Sequence, residues 1–78
     1  MSDKERADIS FEIVEHLGVL NTSPTGWTKE LNVVKWNGGN EKYDIRDWEP
    51  GYKRMGKGIT LHSGEMMKLI EYCEGRFD

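Results

Sequence analysis

The stretch from Lys42 to Leu61, KYDIRDWEPGYKRMGKGITL, gathers Arg46, Trp48, Lys53, Arg54 and Lys57 into one loop and its flanks. Cations beside an indole suit one kind of chemistry: ammonium and guanidinium groups neutralise phosphates, and an aromatic face stacks an unpaired base. The cluster stands out because the chain is acidic, with 11 Lys and Arg against 14 Asp and Glu and a formal net charge of -3. Residues 26–61 reverse that balance with seven cations against five acids, and no acid falls between Pro50 and Gly58. Overall acidity argues against indiscriminate binding to nucleic acid, so the signal is a local positive patch. The plainer alternative is a solvated loop.

Catalytic readings find little support. GYKRMGK supplies Gly51, Gly56 and Lys57 at the spacing of a phosphate-binding loop, but Gly58 stands where a Ser or Thr hydroxyl would hold magnesium. The apolar ITL that follows reads as a strand where such a loop must open a helix. His16 and His62 have no flanking ligand pattern, which leaves a metal site or a nucleophile triad without sequence support. The carboxylates are scattered, and no acid–base pair emerges. No enzyme activity, cofactor or metal is expected. Cys73, the single cysteine, falls on an apolar stripe and reads as a small core or interface residue, so no disulfide is available.

The elements that position the cluster follow from periodicity. In ISFEIVEHLGVL, Ile9, Phe11, Ile13, Leu17 and Val19 recur at even spacing, predicting a first strand. NTSPTG is a turn, and WTKELNVVKW predicts a second strand with Leu31 and Val33 on one face and Val34 and Trp36 on the other. NGGN predicts a tight hairpin turn, after which KYDIRDW sends Tyr43 and Ile45 one way and Lys42, Asp44, Arg46 and Trp48 the other. Ile59 and Leu61 mark a short fourth strand, and Met66, Leu69, Ile70, Cys73 and Phe77 form an apolar stripe at helical spacing in SGEMMKLIEYCEGRF. His62 is placed at the start of that helix. Gly56 and Gly58 suit either a backbone approach to phosphate or turns with positive φ.

These elements make an α+β domain: a four-stranded sheet followed by a C-terminal helix. Leu31, Val33, Tyr43, Ile45, Ile59 and Leu61 are expected to pack under the helix, leaving Trp36, Arg46 and Trp48 on the opposite face as a platform for bases. The competing assignment buries those tryptophans in a second small core or a dimer interface, since Trp is usually highly buried. Trp27, beside a turn, fits either role. Residues 1–8 are expected to be disordered, with one domain over 9–78. A 78-residue chain that is 36% hydrophobic has little spare stability and needs a staple, for which self-association, with Met67 and Tyr72 at the interface, is the remaining choice. No apolar run reaches the roughly 18 residues of a membrane span and MSDKERADIS lacks a signal-peptide core, so a cytoplasmic protein, with nucleoid association open, is expected.

KYDIRDW, the loop after it, GKGITL and the amphipathic helix together resemble the transcriptional positive cofactor four (PC4-like) family. Through GWTKELN and the KW of the second strand the chain is most similar to its small bacterial YdbC-like branch, from about Phe11 to the end of the helix. The resemblance implies a curved four-stranded antiparallel sheet with a C-terminal helix, forming a homodimer that binds single-stranded DNA with little sequence preference, in transcription, replication or repair, with single-stranded RNA as the alternative ligand. It points to Trp36 and Trp48 as stacking aromatics and to Lys29, Arg46 and Lys57 as backbone contacts. Lys53 joins them from the charge pattern, and Trp27, Lys35 and Arg54 are secondary candidates. Relative to eukaryotic members this sequence departs in lacking their long Ser- and Lys-rich N-terminal extension, so the core module alone is expected. A protein-interaction or transcription-regulatory module that docks a polypeptide on the exposed Trp face is the competing function.

Overall fold

The computed structural model describes residues 10–77. Four strands, β1 (Phe11–Thr22), β2 (Thr28–Trp36), β3 (Glu41–Trp48) and β4 (Met55–Leu61), precede one helix, α1 (Ser63–Cys73). They form an antiparallel meander in the order β1-β2-β3-β4. The expected disorder of residues 1–8 and the contribution of Ile9 lie outside the described residues.

Local chemistry explains the connections. Asn37 and Gly38 both have positive φ, at 51° and 75°, and Gly39 N–H donates to the Trp36 carbonyl at 2.9 Å, a tight turn whose twist matches the flanking strands. In the β1–β2 turn, Gly26 adopts φ 92° and Ser23 N–H donates to the Trp27 carbonyl at 2.8 Å. His62 caps α1 reciprocally: its ring accepts from Glu65 N–H at 3.2 Å, and the Glu65 carboxylate accepts from His62 N–H at 3.0 Å. Gly75, at φ 78°, lies just beyond the helix end. The helix is therefore shorter than its apolar pattern, and Phe77 falls outside it, 87% exposed.

Register fixes the two faces. Leu31 pairs with Ile45 and Val33 with Tyr43, while Ile45 and Tyr43 pair in turn with Ile59 and Leu61, so these six side chains share one face as expected. Thr28 opposes Trp48 and Glu30 opposes Arg46, which puts Trp36, Arg46 and Trp48 together on the other. The even spacing expected of β1 fails. Val14, Leu17 and Leu20 are skipped in the pairing with β2, making bulges at three-residue intervals. Each bulge shifts the alternation, so Leu17 leaves the series that Phe11 and Ile13 begin.

Of the buried apolar residues, Val34 and Trp48 lie on the face the sequence pattern left open and Leu61 on the face it assigned to the core. Val34 and Trp48 are 0% and 1% exposed, and Glu30, Asn32 and Asp44 beside them are buried as well. On the other face Ile59 is 55% exposed, and no residue of α1 is buried. The expected cover of helix over sheet is thus incomplete within one chain. Only the start of α1, with buried Leu61 before it and half-buried Met66, is seated.

Candidate nucleic-acid interface

On the Trp face two polar clusters share the core with Val34 and Trp48. In the first, Asp44 receives both Nε and Nη2 of Arg46 at 3.0 Å, and the Thr60 hydroxyl at 2.8 Å. The remaining Arg46 nitrogen, Nη1, donates to the Gly56 carbonyl at 3.0 Å. This pair is well satisfied, as a buried ion pair must be. Gly58 makes it sterically feasible: a Cβ there would lie 2.6 Å from Arg46 Cβ and 2.5 Å from the Ile45 carbonyl oxygen. A Cβ on Gly56 would approach Trp27 Cζ3 to 3.2 Å and Asp47 Cβ to 3.1 Å. Neither glycine has positive φ, so close packing replaces the turn geometry considered for them.

The second cluster centres on Glu30, 5% exposed. Its carboxylate accepts from the Thr28 hydroxyl at 2.6 Å, the Tyr52 hydroxyl at 2.8 Å and the Asn32 amide at 3.2 Å. Burial on its own would raise the Glu30 pKa, but the hydrogen bonds outweigh it and hold the carboxyl below its ordinary value of 4.5. Because Asn32 Nδ2 faces Glu30, its Oδ1 faces His16 Nδ1 at 2.7 Å, which assigns the proton of that imidazole to Nδ1.

Trp48 is not the exposed platform expected from its alternation. At 1% exposure its ring lies 5.2 Å from Phe11 and 5.2 Å, edge-on, from Tyr52, and it offers no face to a base. Two features hidden from the pattern enclose it: bulged β1, which carries Phe11, and the β3–β4 loop, which carries Tyr52. Arg46 is also less free than expected, since each guanidinium nitrogen has a partner and its side chain is 15% exposed. Asp and Arg two apart on a strand share a face, so the Asp44–Arg46 pair was legible in DIR itself.

Trp36 is the platform residue that retains accessible surface. The Arg46 guanidinium carbon lies 5.2 Å from its ring centroid, and Phe11, 37% exposed, packs at 6.0 Å with a 49° tilt. Trp36, Arg46, Lys42, Met55 and Thr60 line an open groove of about 430 Å³. Phe11 and Lys42 are the members that sequence reasoning missed; the register Phe11↔Trp36 that brings the rings together depends on the β1 bulges.

The remaining candidates are dispersed. Lys53, Lys57 and Lys29 are exposed and Lys35 is half-buried, and among the described residues none has a carboxylate within ion-pairing distance. Lys29 and Lys35 alternate with Glu30 and Trp36, hence point to the face away from Trp36. Lys29 and Trp27 line a separate polar cleft of about 330 Å³ with Asn21, Ser23, Thr25 and Asp47. Arg54 is bidentate to Glu49 at 3.0 Å and 3.0 Å, and its guanidinium sits 5.8 Å from the Trp27 ring centroid.

The chain is thus an open four-stranded antiparallel sheet with one trailing helix, and it carries a partly accessible Trp36 beside Arg46 and a cationic β3–β4 loop. The family model described as Transcriptional Coactivator p15 (PC4) matches residues 23–72, from the β1–β2 turn through α1. The chain belongs to this family. It is also 47% identical over 62 residues to an uncharacterized protein of Treponema pallidum (strain Nichols), a match covering 80% of this chain and 73% of that protein. The PC4 match includes Trp36, Arg46 and the basic loop, and excludes Phe11. No helix of the described residues is long and apolar enough to cross a membrane.

Proposed function

We propose that the protein binds single-stranded DNA with little sequence preference, as a homodimer, and that Trp36 is its stacking aromatic. The observation that carries this reading is the groove beside Trp36, where an accessible indole meets a fixed guanidinium and Lys42 with no acid in the lining. An unpaired base extends the Phe11–Trp36–Arg46 stack, and every base has a π-face, so the contact tolerates any sequence. Lys42, Lys53 and Lys57 neutralise phosphates, while Arg46, held by Asp44, orients Trp36 as a fixed plane. Trp27 and Lys29 serve a strand that passes around the sheet.

Self-association is supported by what one chain leaves uncovered. Met67, Ile70 and Tyr72 are 65%, 53% and 75% exposed on α1, and Ile59 is exposed on the sheet face toward which the helix is attached. A second copy removes this apolar surface from water.

Fluorescence titration with oligothymidine, a duplex of equal length and single-stranded RNA tests the reading. Tight binding of the single strand, weakening with salt and exceeding that of the duplex, is expected. Trp36→Ala should cost about 1–3 kcal/mol of affinity with the salt slope unchanged. Equal affinity for duplex at every salt concentration would refute stacking, and failure to bind any of the three nucleic acids would favour a polypeptide as the ligand of this face.

A further inference from the structure

An anion buried at the centre of a face that binds phosphates needs a separate reason, because a carboxylate there opposes the ligand. Asp44 has its reason in Arg46; Glu30 has no Lys or Arg bonded to it among the described residues, and the β3–β4 loop supplies its reason. Tyr52, in the 3-10 turn Pro50–Tyr52, sits at φ 59°, a left-handed conformation that a bulky residue keeps only when its surroundings hold it. Three contacts do so. Its hydroxyl donates to Glu30 Oε1 at 2.8 Å, its ring lies edge-on against Trp48 at 5.2 Å, and its N–H donates to the Glu49 carbonyl at 2.8 Å. Glu49 N–H, bonded to the Arg54 carbonyl at 3.0 Å, closes the loop. Lys53 follows Tyr52 directly, and Lys57 lies on the strand into which the loop runs.

We propose that Glu30 and Tyr52 form a latch that fixes the cationic β3–β4 loop, making Glu30 a positioning residue for single-strand binding that acts through Tyr52 on Lys53 and Lys57. The proposal rests on the single-strand reading above. It accounts for a carboxylate in the core: an ionised acceptor makes a stronger bond to a tyrosine hydroxyl than a neutral one. It also accounts for the bonds from Thr28 and Asn32, which aim the carboxylate and compensate its burial.

Hydrogen exchange in the DNA-free protein and titration with oligothymidine test it together. Tyr52→Phe removes only the hydroxyl, and exchange at the Glu49 and Tyr52 amides should quicken while that of paired β2 and β3 amides stays as in the parent. Single-strand affinity should fall about five-fold, the scale of one hydrogen bond. Glu30→Gln keeps an oxygen to accept from Tyr52 and Asn32 and an amide to donate to Thr28, but the acceptor is neutral, so loop exchange should quicken and affinity should fall, each by less than in Tyr52→Phe. Lys53→Ala/Lys57→Ala removes the groups the latch places, so adding Tyr52→Phe to that pair should weaken binding no further. Unchanged loop exchange in Tyr52→Phe, or a Tyr52→Phe loss that adds in full to the lysine pair, would overturn the latch. A parent that ignores oligothymidine would sink the single-strand reading instead, and the exchange rates would still decide whether Tyr52 and Glu30 hold the loop.

Discussion

Replacing Trp48 by alanine distinguishes a base platform from a core residue, and the structure sets the size of the effect. The side chain is 1% exposed, so truncation removes a whole indole from the interior together with its contacts to Phe11 and Tyr52. Loss of a buried Trp costs about 3–5 kcal/mol. Aromatic pairs carry about 0.5–1.5 kcal/mol beyond area burial, so two lost pairs place this case in the upper part of that range. At the usual per-residue stability a chain of 78 residues has about 4–12 kcal/mol in all, so Trp48→Ala should consume a large share of it. Trp48→Phe should be far milder: it leaves a smaller void and deletes an indole N–H that, among the described residues, has no protein acceptor. Urea denaturation at fixed protein concentration gives the stability change, and titration of the folded fraction with oligothymidine gives the affinity. Binding per folded molecule should survive in Trp48→Phe. A Trp48→Ala protein within about 1 kcal/mol of the parent in stability, yet defective in binding, would show that the ring meets the ligand and is not core, since core truncations of this size cost several times more.

Other outcomes follow from the same packing. Arg46→Ala leaves Asp44 buried with Thr60 as its remaining side-chain donor and should destabilise the fold by about 3–5 kcal/mol, read by thermal melting; a variant that melts normally with a flattened salt slope would return Arg46 to the phosphate contacts. Ile70→Glu places a charge on the exposed apolar side of α1 and should yield a monomer by light scattering, with a melting point that no longer rises with concentration. The parent should lose stability at both pH extremes. Glu30 has a folded-state pKa below its ordinary 4.5, so its contribution is complete above pH 4.5 and is lost as pH falls through the folded value. The Tyr52 hydroxyl, raised above 10.0 first by its bond to Glu30 and then by burial, contributes fully below pH 10.0 and ceases to as pH rises through its folded value. Glu30→Gln should weaken the acid limb in urea titrations across pH, with His16 at 3.4 Å as the other titratable neighbour present in both proteins.

Features that depend on neighbours along the chain were legible before any packing was known. Alternation in β2 and β3 assigned Leu31, Val33, Tyr43 and Ile45 to one face and Trp36, Arg46 and Trp48 to the other, because side-chain direction in a strand has a period of two. Asn37-Gly38 specified the hairpin and His62 the start of the helix, through contacts that span a few residues, to which the structure adds Glu65 as the capping partner. What covers each face depends on contacts between distant segments. The bulges at Val14, Leu17 and Leu20 change how β1 runs along the sheet, and bulges depend on pairing between strands, which alternation within one strand does not encode. They bring Phe11 onto Trp48, and the left-handed Tyr52 brings the loop over it from the other side. Trp36 and Trp48, equivalent in the strand pattern, thereby part: one stays at the sheet end beside an open groove, and the other is sealed by two segments remote from it in sequence or turned back upon it. Burial is a property of the whole packed surface, so a periodic signal can name the face a residue points to but not what covers that face.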